Sequence, residues 1–208
     1  MALLIFFISP LSIVFILFIQ GERIVFIISV IIIFIICLWV VGSVKKKTIN
    51  GVTYKGYLKY WRWMKVRSGR LDEYTEINGI TYKYDTDIHF YENGQVSEGT
   101  LAGDQTINGI TYQKNQDIHF HENGQVKKGI LAENTEINGI TYMGDEDEDT
   151  TISYRYSISF HKNGQVSSGF LAKNTEEYLA EDTTINGITY KYYTYIHFYE
   201  NGQVSEGT

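Results

Sequence analysis

All five histidines of this 208-residue chain fall inside one recurring phrase, and they are the side chains with the widest chemical reach. His89, His119 and His197 hold equivalent positions, with Ser159 in the third copy, and two residues later come Tyr91, His121, His161 and Tyr199. Same-face residues on neighbouring β-repeats line up, so His119 and His121 could approach others and hold a divalent metal. Yet residues i and i+2 of one strand stand about 6–7 Å apart, and no carboxylate recurs beside these histidines. The other reading is a ladder of hydrogen-bonding rings on a partly exposed face, and on it no metal is assigned.

The run Gly144-Asp145-Glu146-Asp147-Glu148-Asp149 offers carboxylate oxygens to calcium but lacks the alternation and central glycine of a hand-type loop. It reads as a solvated insertion that could meet a basic partner. Cys37 is the only cysteine, which excludes an intramolecular disulfide and a cysteine zinc site. Phe34-Ile35-Ile36 before it lacks the small residues expected ahead of a lipidated cysteine. No nucleophile elbow or phosphate-binding glycine loop occurs. The expectation is a non-enzyme with no catalytic residues and no cofactor.

The elements that carry these side chains are set by repetition. Ile-Asn-Gly-Ile-Thr-Tyr occurs at Ile77–Tyr82, Ile107–Tyr112, Ile137–Tyr142 and Ile185–Tyr190, with a Val52 variant at Ile49–Tyr54. Ile-His-Phe-Tyr-Glu-Asn-Gly-Gln-Val occurs at Ile88–Val96 and Ile196–Val204, and in altered form at Ile118–Val126 and Ile158–Val166. Gly79, Gly94, Gly109, Gly124 and Gly139 keep a beat of 15 residues; Gly164 follows after 25 and Gly187 after 23, and Gly202 restores 15. The acidic run and a duplicated phrase at Leu179–Asp182 supply the extra lengths.

Asn-Gly between alternating apolar residues predicts a hairpin closed by a type I′ turn, which needs positive φ at both central positions. Alternation places Ile80 and Tyr82 on one face with Thr81 opposed, and Ile88 and Phe90 opposite His89 and Tyr91. An apolar sheet face must be covered, so the array is expected to be either a meander or a rolled solenoid, stabilised repeat by repeat.

Ahead of the array, Ala2–Gln20 and Ile24–Val41 are each about 20 apolar residues, enough to cross a bilayer as helices. Gly21-Glu22-Arg23 between them holds the only charges of that region. The first run lacks a basic start and a small-x-small site, so it reads as a span rather than a cleaved leader. The expected organisation is a two-helix transmembrane hairpin over 1–42, a basic aromatic juxtamembrane segment with a degenerate first repeat over 43–72, and the β-hairpin array over 73–208.

Charge divides the chain in the same place. Nine basic and no acidic residues lie between Ser43 and Arg70, whereas Leu71–Thr208 holds 8 basic and 23 acidic, a balance of −15. The cations suit an anionic lipid surface, with Lys45, Lys46, Lys47, Trp61, Arg62 and Trp63 as candidate interface residues. The positive-inside rule places the array in the cytoplasm, under a multi-pass cell-membrane anchor. The acidic array disfavours nucleic acid.

The phrase Phe-Tyr-Glu-Asn-Gly-Gln-Val-Ser-Glu-Gly-Thr, at Phe90–Thr100 and Phe198–Thr208, resembles the variant MORN repeat of bacterial antitoxin-like proteins. The match covers about half of each 30-residue unit; the Leu-Ala…Ile-Asn-Gly-Ile-Thr-Tyr half departs from it. The resemblance implies stacked β-hairpins and an interaction module without catalytic residues. A membrane-tethered scaffold is therefore expected, binding a protein partner through His89, Tyr91, His119, His121, His161, His197 and Tyr199. The alternatives are an antitoxin-like neutraliser and a protein that self-associates through an open sheet edge.

Overall fold

The computed structural model describes residues 45–144, 156–173 and 182–207, together with Ile32. The array opens with β1 (Lys46–Ile49), β2 (Val52–Tyr60) and β3 (Val66–Leu71). A set of four strands then recurs. It runs as β4 (Thr75–Ile77), β5 (Ile80–Tyr82), β6 (Asp87–Phe90) and β7 (Val96–Thr100). The second set is β8 (Gln105–Ile107), β9 (Ile110–Tyr112), β10 (Asp117–Phe120) and β11 (Val126–Ile130). The third is β12 (Thr135–Ile137), β13 (Ile140–Tyr142), β14 (Ser157–Phe160) and β15 (Val166–Phe170). The last is β16 (Thr183–Ile185), β17 (Ile188–Tyr190), β18 (Tyr195–Phe198) and β19 (Val204–Gly207).

The first two strands of each set form a separate small hairpin, and the last two join one eleven-stranded antiparallel sheet in the order β1-β2-β3-β6-β7-β10-β11-β14-β15-β18-β19. The result is a meander with a second layer of hairpins on one face. That face is lined by Ile88, Ile118, Ile158 and Ile196, each paired across the ladder with Gly69, Gly99, Gly129 or Gly169. The tyrosine that ends each small hairpin lies over a glycine. A Cβ on Gly99 would stand 2.7 Å from Tyr82 Cδ1, and one on Gly129 2.6 Å from Tyr112 Cδ1. Tyr82, Tyr112 and Tyr142 are accordingly buried, together with Leu71, Leu101, Leu131 and Leu171. Single bridges Tyr82↔Leu101, Tyr112↔Leu131 and Tyr142↔Leu171 tie the layers together.

Both Asn-Gly phrases turn the chain, but differently. In Ile-Asn-Gly-Ile both central residues are left-handed, as at Asn78 (φ 55°) and Gly79 (φ 79°), which is the expected type I′ geometry. In Glu-Asn-Gly-Gln only the glycine is, with Gly94 at φ 91°. There Tyr91 N donates to Gln95 O at 2.8 Å, Asn93 Oδ1 accepts from Gln95 N at 3.0 Å, and the register slips between His89 and Phe90. This longer turn carries a bulge, which corrects the expectation of one turn type throughout.

The expected fold class also needs correction. The described residues are all-β apart from Ile32, Tyr156 and the short 3₁₀ turn Arg62–Met64, and among them no helix is long and apolar enough to cross a membrane. A two-helix hairpin followed by an array therefore gives way to an antiparallel β meander with a hairpin layer. The physical reason lies in the described residues themselves, where two-residue alternation punctuated by Asn-Gly turns favours strands from Lys46 onward. The segment assigned to that hairpin, with Cys37, lies outside the described residues except for Ile32, as do the acidic run 145–149 and positions 179–181.

Candidate binding face

The hairpin layer covers one side of the sheet, and the other side carries a continuous cross-strand row. It runs Lys59, Ser68, His89, Glu98, His119, Lys128, Ser159, Ser168, His197, Glu206, one residue per strand. Neighbours in such a row sit about 4.8 Å apart along the hydrogen-bonding direction. His119 Nδ1 lies 3.7 Å from Glu98 Oε2, an ion pair when the imidazole is protonated.

Two residues along each strand, a second row shares this face and changes character down the array. At its start, Lys55, Arg70 and Asp87 pair across β2, β3 and β6. Asp85 sits between Lys55 Nζ (2.5 Å) and Arg70 Nε (3.4 Å). Its carboxyl is held below the usual range, first by the Lys55 hydrogen bond and then by the charges of Lys55 and Arg70, against some burial. Midway, Thr100 Oγ1 donates to Asp117 Oδ1 at 2.7 Å. At the far end the row is aromatic. Phe170 and Tyr195 are cross-strand partners with ring centroids 4.6 Å apart, Tyr156 flanks Phe170 at 5.8 Å, and Tyr195 meets His197 edge-on at 4.8 Å. Tyr195 Oη donates to Ser168 Oγ at 2.9 Å, which fixes the ring against the central row.

His89, His119 and His197 thus occupy the predicted face. Tyr91, His121 and His161 do not. They sit at the bulged corner, each reaching the backbone of the next repeat: Tyr91 Oη donates to Phe120 O at 2.7 Å, His121 Nε2 to Phe160 O at 2.8 Å, and His161 Nε2 to Phe198 O at 2.9 Å. A carbonyl can only accept, so both imidazoles carry their proton on Nε2. Trp61 fills the same position in the first turn and donates from Nε1 to Phe90 O at 3.0 Å. The turn asparagines run in parallel, with Asn93, Asn123 and Asn163 donating to Glu122 O, Lys162 O and Glu200 O. Tyr199 stands at this position in the last repeat and is 58 % exposed. The signal for this role was present in the sequence: Trp, Tyr and His alternate at one site, and what they share is a donor at the end of a flat ring.

The candidate lipid residues separate as well. Lys46 Nζ pairs with Asp72 Oδ2 at 2.6 Å, and Lys47 Nζ donates to Tyr60 Oη at 3.0 Å. Lys45 is exposed. Trp61 is half-buried under Arg67, whose guanidinium lies 4.7 Å from the ring centroid. Arg62 and Trp63 project from the β2–β3 turn, and Met64, which the sequence reading passed over, projects with them.

Shallow grooves recur between successive turns. One, of about 340 Å³, is lined by Asn78, Ile80, Gln95, Val96, Ile107 and Phe120, and its equivalent by Asn138, Ile140, Gln165, Val166, Ile185 and Phe198. Neither gathers groups suited to acid–base work, and among the described residues no three His, Cys, Asp or Glu side chains gather to hold a metal. The buried phenols of Tyr82, Tyr112 and Tyr142 are pushed well up by burial, which marks them as core groups. The chain matches no protein-family model, and no curated protein matches it.

Proposed function

We propose that this protein is a non-catalytic, membrane-tethered scaffold whose array binds another protein on the cytoplasmic side. The observation that carries this reading is the aromatic end of the outward row, where Phe170, Tyr195 and His197 are held in fixed contact on the side away from the hairpin layer. Rigid aromatic rings offer contact area at low entropic cost, and a neighbouring polar rim of Ser159 and Lys128 supplies orientation. The tether rests on the apolar composition of residues 2–42, and the orientation on Lys45–Lys47.

The test is site-specific photo-crosslinking in intact cells, with the reactive group at Lys128 or His119, and at Asn108 on the opposite layer as control. A discrete adduct from the outward sites that is lost in Tyr195→Ala/His197→Ala supports the reading. Adducts only from Asn108 sink it. A reporter fused after Thr208 tests the side of the membrane, with an externally active reporter overturning the orientation.

A second reading, self-association, has one observation in its favour. Among the described strands β19 lies at an edge of the sheet, and beside it Tyr199 is exposed and Asn201 donates its amide to Gln203 Oε1 at 3.3 Å. Concentration-dependent mass that disappears on adding a charge at Ser205 would favour it.

A further inference from the structure

The turn joining β2 to β3 departs from the other long turns in a way that weakens it. Its frame is the same, since Trp61 N donates to Lys65 O at 2.7 Å just as Tyr91 N donates to Gln95 O at 2.8 Å. Trp63 and Met64 stand where the other turns place Asn and Gly, and both are left-handed, at φ 69° and 62°. Bulky L-residues resist that region. Packing usually offsets such strain, yet Trp63 is 85 % and Met64 79 % exposed. Two large apolar side chains are thus held outward at a hairpin tip. Along the turn and its flanking strands the charge has one sign. Lys59, Arg62, Lys65 and Arg67 flank the turn in sequence, and no acidic residue lies between Ser43 and Arg70. Lys65 reaches Glu92 O at 3.0 Å and Arg67 covers Trp61, while Lys59 and Arg62 are exposed.

We propose that this tip inserts into the headgroup layer of an anionic bilayer, with Trp63 and Met64 at the hydrocarbon boundary and Lys59 and Arg62 on lipid phosphates. Tryptophan favours that depth because its ring is apolar and its N–H stays in reach of water, and surface cations gain from anionic lipid. A protein acceptor for a cationic tip would need to present acidic groups, and it would not place the indole among acyl chains. The inference rests on the membrane placement proposed above and is independent of the protein partner.

The full chain is added to vesicles of phosphatidylcholine, with and without phosphatidylserine, carrying bromine on the acyl chains. The Trp63 contribution to fluorescence is read as the difference between the parent and Trp63→Tyr. The expected result is strong quenching of that contribution in phosphatidylserine vesicles, reduced several-fold by 0.5 M salt or by Lys59→Glu/Arg62→Glu. Trp63→Asn/Met64→Gly, which restores the repeat's own turn, should unfold at higher urea. If the chain floats with the vesicles while the Trp63 contribution is unquenched, the tip proposal falls and the tether stands. If the chain fails to float, both fall. Equal quenching with and without phosphatidylserine removes the role given to the cations and overturns the anionic-bilayer assignment.

Discussion

Replacing Gly99 with alanine tests the joint between the two layers. Gly99 is buried and is not left-handed, so alanine meets no backbone obstacle there. The obstacle is the ring. The added Cβ would lie 2.7 Å from Tyr82 Cδ1 and 2.9 Å from Cε1, whereas carbon pairs settle near 3.5–4.0 Å. The ring must retreat by about 1 Å, and Tyr82 is only 1 % exposed, enclosed by the core. Overpacking of this kind costs about 1–3 kcal/mol, and lost unfolded-state freedom returns about 0.4–1. The net expectation is a destabilisation of about 1–2 kcal/mol. Gly103→Ala is the control, since a Cβ there meets nothing within 4 Å; it should be neutral or slightly stabilising. Urea denaturation of the full chain, followed by near-ultraviolet circular dichroism of the tyrosines, reads both. A double-mutant cycle with Tyr82→Ala isolates the clash, because removing the ring should make Gly99→Ala harmless. If Gly99→Ala proves as mild as Gly103→Ala, or keeps its full penalty without the Tyr82 ring, the layered packing described here is wrong.

Tyr91→Phe should cost about 0.5–1.5 kcal/mol by leaving Phe120 O without its donor, whereas Tyr199→Phe, at an exposed position, should stay within about 0.5; urea midpoints separate them. Alkali should unfold the array. Burial raises the phenols of Tyr82, Tyr112 and Tyr142, and Tyr54 is pushed up to about 12 by burial first and by Tyr60 second. The folded state holds these protons where the unfolded chain releases them, so their contribution is whole below about pH 10 and is lost as pH climbs through the folded values, at about 1.4 kcal/mol per unit for each fully retained proton. Phenolate absorbance should therefore rise together with loss of structure, and full ionisation near pH 10 with the fold intact would refute it. Trp63→Asn/Met64→Gly should stabilise the chain by about 1–2 kcal/mol through relief of left-handed strain, checked by the shift in urea midpoint.

What the sequence made legible depended on how locally each feature is enforced. Asn78-Gly79 announces its turn because few residue pairs accept two successive positive φ values, so the small hairpins could be read directly. Gly99 sends no comparable signal. A glycine within a strand does not say which ring lies over it, and the partner, Tyr82, reaches it through the fold rather than along a strand. The placement of Tyr91, His121 and His161 failed for a related reason. Two-residue alternation assumes an unbroken ladder, and the slip at His89/Phe90, His119/Phe120 and Ser159/Phe160 turns the next side chain out of the outward row and toward the following repeat.

The repeats also separate what stacking demands from what stacking leaves open. On the covered face the four sets agree closely: isoleucine at 88, 118, 158 and 196, glycine at 99, 129, 169 and 207, tyrosine at 82, 112, 142 and 190. Each member touches its counterpart in the other layer, so a change in one copy would break a contact and be felt at once. The outward face drifts instead. His89 and His119 give way to Ser159, and the row that begins with Lys55 and Arg70 ends with Phe170 and Tyr195. Nothing in the stacking requires that gradient, because these side chains are not wedged between layers. Among the described residues the outward face therefore distinguishes one end of the array from the other, and a partner that reads it must bind with a fixed polarity along the array.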